Sequence, residues 1–124
     1  MTDRLFAYGT LRPIARRRGG RSARVYGRLW ENGHYPGARL GEPDGPMIAG
    51  LVFEVTAEDL ASFDAREGVA HNWYRRVRTH TVGGETVWVY EADRCLTDDA
   101  GVHRQWRLVK PDRCNVAEWR DRGV

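Results

Sequence analysis

Residues 47–68 read MIAGLVFEVTAEDLASFDAREG and contain the clearest change of pattern in the chain. The stretch from Met47 to Val55 has the apolar character of a β-strand. At Thr56 the spacing of apolar residues becomes helical, with a suitable N-cap, acidic residues in the first turn and Gly68 as a C-terminal stop. This stretch predicts a strand followed by one helix of roughly 9 to 12 residues, at about positions 56–66.

Three further segments carry strand or turn patterns. The segment Arg4 to Tyr8 is short and apolar-rich and ends at Gly9, which predicts a strand that runs into a loop. Ala23 to Trp30 alternates with period two and has bulky residues on both faces, as in the wall of a barrel. Gly33 to Pro46 is dense in turn residues and predicts a loop with at most a short strand.

The dipeptide Gly83-Gly84 separates two strand-like runs, Tyr74 to Val82 and Glu85 to Glu91, and predicts a β-hairpin. The polar segment 92–124 is poorly specified, and Asn115 to Arg122 fits either a short helix or a turn. Five or six strands around one clear helix indicate an α+β fold, with a small mixed β-barrel or a strongly curled sheet as its architecture.

Length and composition limit the class of protein. A chain of 124 residues is expected to form one domain over residues 1–124. It has no apolar run near the ~20 residues of a membrane helix, and its N-terminus lacks a secretory pattern, so we expect no membrane association and a cytoplasmic location. Cys95 and Cys114 lack metal-binding spacing and are expected to be reduced, structural thiols.

The basic charge is concentrated near the N-terminus. Residues 1–28 carry a balance of +7, so the net charge of +3 leaves −4 for residues 29–124. The arginine- and glycine-rich tract from Arg16 to Arg21 fits either a solvated loop or a phosphate-binding patch. Because no aromatic residues are interleaved in the tract and the remainder is acidic, we do not expect nucleic acid as a partner.

Two features of the sequence are suited to acid/base or acyl chemistry. Glu67 is the best-placed acid, because the negative pole of the predicted helix disfavours a further negative charge and so raises the pKa of a carboxyl group there. If the site is also closed to water, desolvation raises that pKa further. A solvated residue at a helix end is the alternative for Glu67. Gly9-Thr10 follows a strand and either offers backbone N–H groups to an oxyanion or carboxylate, or forms an ordinary tight turn. No metal site is predicted, because paired ligand spacing is missing from the four histidines, His34, His71, His80 and His103.

Seven segments, taken in order, resemble the gamma-glutamyl cyclotransferase-like family, which includes gamma-glutamylamine cyclotransferases. They are LFAYGTLR (5–12), GRLW (27–30), YPG (35–37), GLVFEV (50–55), FDAREG (63–68), YRRV (74–77) and VWVY (87–90). The resemblance spans residues 4 to about 92, and Trp119-Arg120 resembles the family's terminal segment. YGTL alone would be weak evidence for this family. The ordered set of YGTL, D-x-x-E-G, YxRV and a VY strand at the family's spacing is specific to it.

That resemblance implies a small mixed barrel that encloses a pocket, and a reaction that needs no cofactor. The α-amine of a small-molecule gamma-glutamyl substrate attacks its own γ-carbonyl, which releases 5-oxoproline and an amine or amino acid. Glu67 matches the catalytic acid/base. The resemblance implies substrate binding by Tyr8, Gly9, Thr10 and Leu11 in the loop after the first strand, and by the aromatics Tyr74 and Tyr90. Packing is the alternative role for either aromatic.

The sequence departs from the family between YGTL and the second strand. The family commonly has a longer, often helical stretch there, whereas this chain has only Arg12 to Tyr26, so a more open pocket is expected. Arg16, Arg17, Arg18 or Arg21 would then line its mouth and favour an anionic leaving group, unless the tract is disordered. Two other functions stay open: a catalytically silent binding module on the same fold, and nucleic-acid binding by the basic arm. A monomer or a weak homodimer is expected.

Overall fold

A computed structural model describes residues 3–31 and 36–92 with their side chains, and the backbone of residues 107–108. In chain order the elements are β1 (Asp3–Ala7), α1 (Arg12–Arg17), β2 (Arg21–Glu31), β3 (Pro36–Leu40), β4 (Met47–Val55), α2 (Ala57–Arg66), a 3-10 helix (Val69–His71), β5 (Tyr74–His80), β6 (Thr86–Ala92) and β7 (Arg107–Leu108). The predicted α+β class is confirmed.

Five strands close into a mixed barrel in the order β1-β4-β2-β3-β6. The ring closes where β6 lies parallel to β1, with Leu5 opposite Trp88 and Phe6 opposite Val89. Strand β5 pairs with β6 along its full length as the second strand of the predicted hairpin, and β7 pairs with the end of β2. Closure leaves no free edge within the ring, which is why so short a chain can enclose a core.

Side chains complete the seam between β3 and β6, where Ala38 pairs with Glu91. One carboxylate oxygen of the buried Glu91 accepts the Leu40 N–H at 2.8 Å, and the other accepts two bonds from Arg75. The Arg39 guanidinium donates to the carbonyl of Ala92 at 2.9 Å. Polar side chains therefore supply hydrogen bonds where the backbone ladder is short.

Two apolar clusters lie on opposite sides of the barrel wall. Strand β1 shows the alternation, since Phe6 belongs to one cluster and Leu5 and Ala7 belong to the other. The first cluster fills the interior and comes from the barrel strands together with Tyr8, the residue that follows β1. It comprises Phe6, Tyr8, Val25, Leu29, Ala38, Ile48, Val52, Val87 and Val89. The second lies between the wall and the two helices and includes Leu60 and Phe63 of α2.

The arginines of the arginine- and glycine-rich tract are exposed, as a solvated segment requires, but the expectation of a loop is wrong for most of the tract. Its first two arginines end helix α1, and Arg21 begins β2. Pro13 in the first turn favours the helix, and the buried Leu11 and Ala15 anchor it in the outer cluster. The dense positive charge conceals this apolar side, and so the sequence predicted one helix where the structure has two.

Strand lengths follow the sequence with small differences. Strand β3 is the short strand that the turn-rich segment allowed, whereas β7 was not predicted. The hairpin is confirmed, although β5 ends at His80 because Thr81 and Glu85 exchange turn hydrogen bonds. No helix among the described residues is long and apolar enough to cross a membrane. Several residues of the sequence predictions lie outside the described part: His34, Tyr35, Cys95, His103, Cys114 and the segment from Asn115 to Arg122.

Candidate functional site

One end of the barrel brings together the segments that the sequence singled out. Strands β1 and β6 run parallel, so the loop after β1 and the end of β6 lie at the same end. The start of β5 is there too, because Tyr74 pairs with Ala92 in the hairpin register. Helix α2 ends beside the same loop, since Thr10 contacts Glu67. Residues 57 positions apart in sequence thereby become neighbours.

Helix α2 directs Glu67 toward the barrel. Leu60 and Phe63 are buried, and Asp64 and Glu67 continue the same stripe at i,i+3 and i,i+4 spacing. The helix ends at Arg66, with Glu67 as its C-cap, because Gly68 adopts the left-handed conformation with a φ of 66°. A Cβ atom at Gly68 would also lie 3.0 Å from the Trp73 ring, so glycine satisfies both the backbone and the packing here.

The Glu67 carboxyl group is mostly buried and has only weak hydrogen bonding within the described part of the chain. The Thr10 hydroxyl donates to its Oε1 at 3.5 Å, which is long for a hydrogen bond between oxygens. Burial raises the pKa of Glu67, while the neighbouring Arg66 charge and the Thr10 bond oppose that rise. The sequence predicted this direction of the pKa shift, and desolvation is the cause that the structure supports.

The loop after β1 lies beside the end of α2 and contacts Glu67 through the Thr10 hydroxyl. A Cβ atom on Gly9 would lie 2.5 Å from Cγ of Pro36, so the close approach of this strand end requires glycine. The Gly9 carbonyl accepts the Arg12 N–H at 3.0 Å, and the Thr10 carbonyl accepts a bond from Arg66 at 3.3 Å. Thr10 is therefore held beside the carboxylate and Gly9 directly precedes it, while the side chain of Leu11 is buried in the outer core.

The Tyr8 side chain belongs to the barrel interior. Its hydroxyl donates to the Tyr90 carbonyl at 2.5 Å and accepts the Ala38 N–H at 3.0 Å. The ring is buried in the interior cluster. These bonds tie β1, β3 and β6 together at the site end of the barrel, so the hydroxyl of Tyr8 has a structural role and its backbone leads into the loop.

The two predicted pocket aromatics have different surroundings. The Tyr74 hydroxyl donates to the Pro36 carbonyl at 2.7 Å and leaves its ring half-buried. Tyr90 is buried under α2, where its hydroxyl donates to Asp64 at 2.6 Å and lies 3.5 Å from the Leu60 carbonyl. Burial and the Asp64 contact strongly raise the pKa of Tyr90, so the phenol stays protonated. Their roles toward a substrate stay predictions.

Sequence reasoning did not assign a role to Asp64. Its carboxylate accepts two bonds from Arg76, at 2.8 and 3.1 Å, in addition to the bond from Tyr90. The i,i+3 spacing of Asp64 and Glu67 was the available signal, because it places both carboxylates on one helical face.

The expected arginine-lined mouth is wrong for Arg18 and Arg21. Arg18 bonds Asp59 in the first turn of α2, about 12 Å along the helix from Glu67. Arg21 bonds Glu85 in the turn of the hairpin, at the opposite end of β6 from Tyr90. In residues 3–31 and 36–92, no group of His, Cys, Asp or Glu is arranged to hold a metal ion.

Comparisons with known proteins agree with this architecture. Residues 5–108 match the sequence pattern of the family described as "Gamma-glutamyl cyclotransferase, AIG2-like". No curated protein matches the chain.

Among solved structures, c4763, a uropathogenic E. coli-specific protein, superposes with a TM-score of 0.69 at 20% identity, over 98% of this chain and 94% of that one. YtfP from Escherichia coli has a TM-score of 0.62 at 24% identity, over 95% and 98% of the two chains. A structure described as gamma-glutamyl cyclotransferase has a TM-score of 0.53 at 20% identity, over 74% of this chain and 67% of that chain. At these identities the likeness shows the fold alone.

Proposed function

The chain belongs to the gamma-glutamyl cyclotransferase, AIG2-like family, and on that premise we propose that it cyclises a gamma-glutamyl compound to 5-oxoproline with Glu67 as the general acid/base. The single observation that carries the proposal is the Glu67 carboxyl group, mostly buried at the end of α2 and beside the loop after β1. A carboxylate in that setting exchanges protons closer to neutral pH than a solvated one does.

In the proposed reaction the substrate supplies its own nucleophile. Its α-ammonium group loses a proton to Glu67, and the amine nitrogen forms a bond to the γ-carbonyl carbon. The carbonyl π electrons move to oxygen, where backbone N–H groups of the Gly9-Thr10 loop stabilise the negative charge. The carbonyl then re-forms as the bond to the leaving nitrogen breaks.

Proton transfer through Glu67 balances the reaction. The attacking nitrogen goes from ammonium to lactam N–H and loses two protons, and the leaving nitrogen goes from amide N–H to ammonium and gains two. Glu67 carries them in succession and ends as the carboxylate it began as. No bond is oxidised or reduced, and holding the amine against the carbonyl supplies much of the remaining rate.

The test is to incubate the purified protein with a panel of gamma-glutamyl amines and dipeptides and to quantify 5-oxoproline. Glu67→Gln removes the exchangeable carboxylate but keeps a similar shape, and its expected effect is a loss of roughly 10²- to 10⁴-fold in kcat/KM. Glu58→Gln is the matched control, because Glu58 is an exposed glutamate in the first turn of the same helix.

The outcomes separate the competing functions. Release of 5-oxoproline by the natural chain and the Glu58 variant, with loss in the Glu67 variant, supports the proposal. Release that survives Glu67→Gln removes Glu67 as the acid/base. Absence of release across the whole panel, together with saturable binding of a panel compound, favours a binding module on the same fold.

A further inference from the structure

Asp64 is a second carboxylate on the barrel-facing side of α2, three residues before Glu67. Side chains at this spacing lie about 5–6 Å apart at their Cβ atoms. The two groups differ in their contacts. Asp64 accepts bonds from Nε and Nη2 of Arg76 at 2.8 and 3.1 Å and from the Tyr90 hydroxyl at 2.6 Å. Within the described part of the chain, Glu67 accepts one bond, from Thr10 at 3.5 Å.

The donors to Asp64 form a single cross-strand pair. Arg76 on β5 lies directly opposite Tyr90 on β6 in the hairpin register. The paired residues Arg76 and Tyr90 therefore bind the same carboxylate of the helix, one through a planar, bidentate guanidinium and the other through a phenol. This contact fixes the last turn of α2 against the hairpin, and that turn carries Glu67.

The same contact also balances the negative charge of Asp64, which lies one helical turn from Glu67. The Arg66 charge and the Thr10 hydroxyl lower the pKa of Glu67 against the effect of burial, and the Glu67 charge in turn raises the pKa of Tyr90 on β6. Asp64 lies three residues before Glu67 on the same helix. Without its cation, Asp64 would place an uncompensated negative charge one helical turn away. Like charges at that spacing oppose each other's ionisation.

We propose that Arg76 and Tyr90 are positioning residues that hold Asp64 and thereby fix the place and the charge environment of Glu67. The sequence predicted Tyr90 as a substrate-binding residue. The residue is 3% exposed and its hydroxyl is bonded to Asp64, and this arrangement instead favours an action through the helix. The inference rests on the proposed function only in naming Glu67 as the acid/base.

The first measurement titrates the Glu67 side-chain carboxyl by ¹³C NMR, with its resonance assigned by its disappearance in Glu67→Gln. Arg76→Met keeps an apolar stem but removes the cation, and the expected result is a Glu67 midpoint at higher pH. Adding Asp64→Asn to Arg76→Met removes the uncompensated carboxylate, so the midpoint returns toward that of the natural chain.

Arg78→Met is the matched control. Arg78 lies two residues along the same strand and stacks on the same ring, at 4.2 Å from Trp88 against 4.3 Å for Arg76. It pairs with the exposed Asp3 and not with α2. Its loss therefore removes a similar charge and ring contact but leaves Asp64 held, and the Glu67 midpoint is expected to stay unchanged.

The second measurement separates positioning from substrate contact. Tyr90→Phe removes only the hydroxyl, and a positioning role predicts that kcat falls about tenfold while KM stays within about twofold. A rise in KM with unchanged kcat would instead make Tyr90 a substrate contact and overturn this part of the proposal. Tyr90→Phe also serves as the test if Arg76→Met does not fold.

Failure of the proposal and failure of the proposed function give different results. An unchanged Glu67 midpoint in folded Arg76→Met overturns the positioning role, whatever the activity. If the natural chain releases no 5-oxoproline but the midpoint still moves in Arg76→Met and returns in the double variant, the proposed function fails and the coupling through Asp64 stands.

Discussion

Each end of helix α2 carries a carboxylate, but the two carboxylates differ in hydrogen bonding and in burial. At the N-terminal end, the Thr56 hydroxyl accepts the Asp59 N–H at 3.1 Å, and the Asp59 carboxylate accepts the Thr56 N–H at 2.9 Å. Arg18 adds two bonds to the same carboxylate and stacks on the Phe63 ring. At the C-terminal end, Glu67 is mostly buried and has the long contact to Thr10.

The pKa shifts of the two carboxylates show that the N-terminal end of α2 contributes to folding stability and the C-terminal end does not. The Arg18 bonds and the Thr56 cap lower the pKa of Asp59, so its ionised form stabilises the folded state. Burial raises the pKa of Glu67, so its ionised form costs folding free energy. Under the proposed function, the cost in stability at Glu67 is the trade between stability and activity that functional sites commonly show.

The largest expected effect comes from exchanging the two acids. Glu67→Asp withdraws the carboxylate by one methylene, and a misplacement of this size lowers kcat/KM by roughly 10²-fold. Asp59→Glu makes the reverse change in length at the capped end, where a glutamate also completes a capping box, so activity is expected to stay within about twofold. Both are measured as the rate of 5-oxoproline release. Equal losses in the two variants would contradict the division of roles.

A smaller effect is expected from the glycines that end the two helices. Gly68→Ala forces a left-handed alanine against the Trp73 ring, and the expected cost is about 1–2 kcal/mol of unfolding free energy, together with lost activity as Glu67 moves. Gly19→Ala is the matched control, because Gly19 has a similar φ of 75° and open space around it. Urea unfolding and turnover check this. If Gly19→Ala also lowers activity, backbone strain alone explains the loss.

Removing the cap tests the stabilising end by itself. Thr56→Ala is expected to lower the unfolding free energy by about 1 kcal/mol, with kcat/KM unchanged, because the hydroxyl satisfies a backbone donor far from Glu67. Thr56→Ser keeps that hydroxyl and should restore the loss. A loss of activity in Thr56→Ala at a temperature where the variant is fully folded would contradict the separation between a stabilising end and a functional end of α2.

The smallest expected effect is on the pH dependence of stability. Since the folded-state pKa of Glu67 lies above its unfolded value, the folded state binds more protons between the two, and stability falls as pH rises through the folded pKa. Glu67→Gln lacks this loss, so its gain over the natural chain should appear near neutral pH and disappear near about pH 4. Denaturant unfolding across that range measures it. A variant less stable than the natural chain at neutral pH would contradict the assignment.

The local elements of this protein were predictable because each depends on neighbours in the sequence. The strand to Val55, the cap at Thr56 and the stop at Gly68 define α2 by contacts within a few residues. The hairpin around Gly83-Gly84 follows from turn chemistry in the same way. Helix α1 was not predicted from the sequence, because its buried apolar residues, Leu11 and Ala15, lie among charged residues that dominate the local pattern.

Much of the candidate site also follows from local pattern, through the resemblance of the YGTL and D-x-x-E-G elements to one family. The identity of Glu67 as the candidate acid/base came from that pattern. Its setting did not, because burial of one carboxylate depends on which strand end and which loop pack over it. The sequence also predicted Tyr90 to face a substrate, and the bond to Asp64 becomes visible only when β6 is placed under α2.

The sequence by itself determined the α+β class, helix α2, the hairpin and the chemical type of the candidate acid, because periodicity, caps and turns are short-range properties. Only the tertiary structure decided that β6 closes the barrel on β1, which brings Thr10 to Glu67 and Arg76 to Asp64. These pairs join residues far apart in the chain, and their contacts depend on strand register and burial, which no single segment specifies.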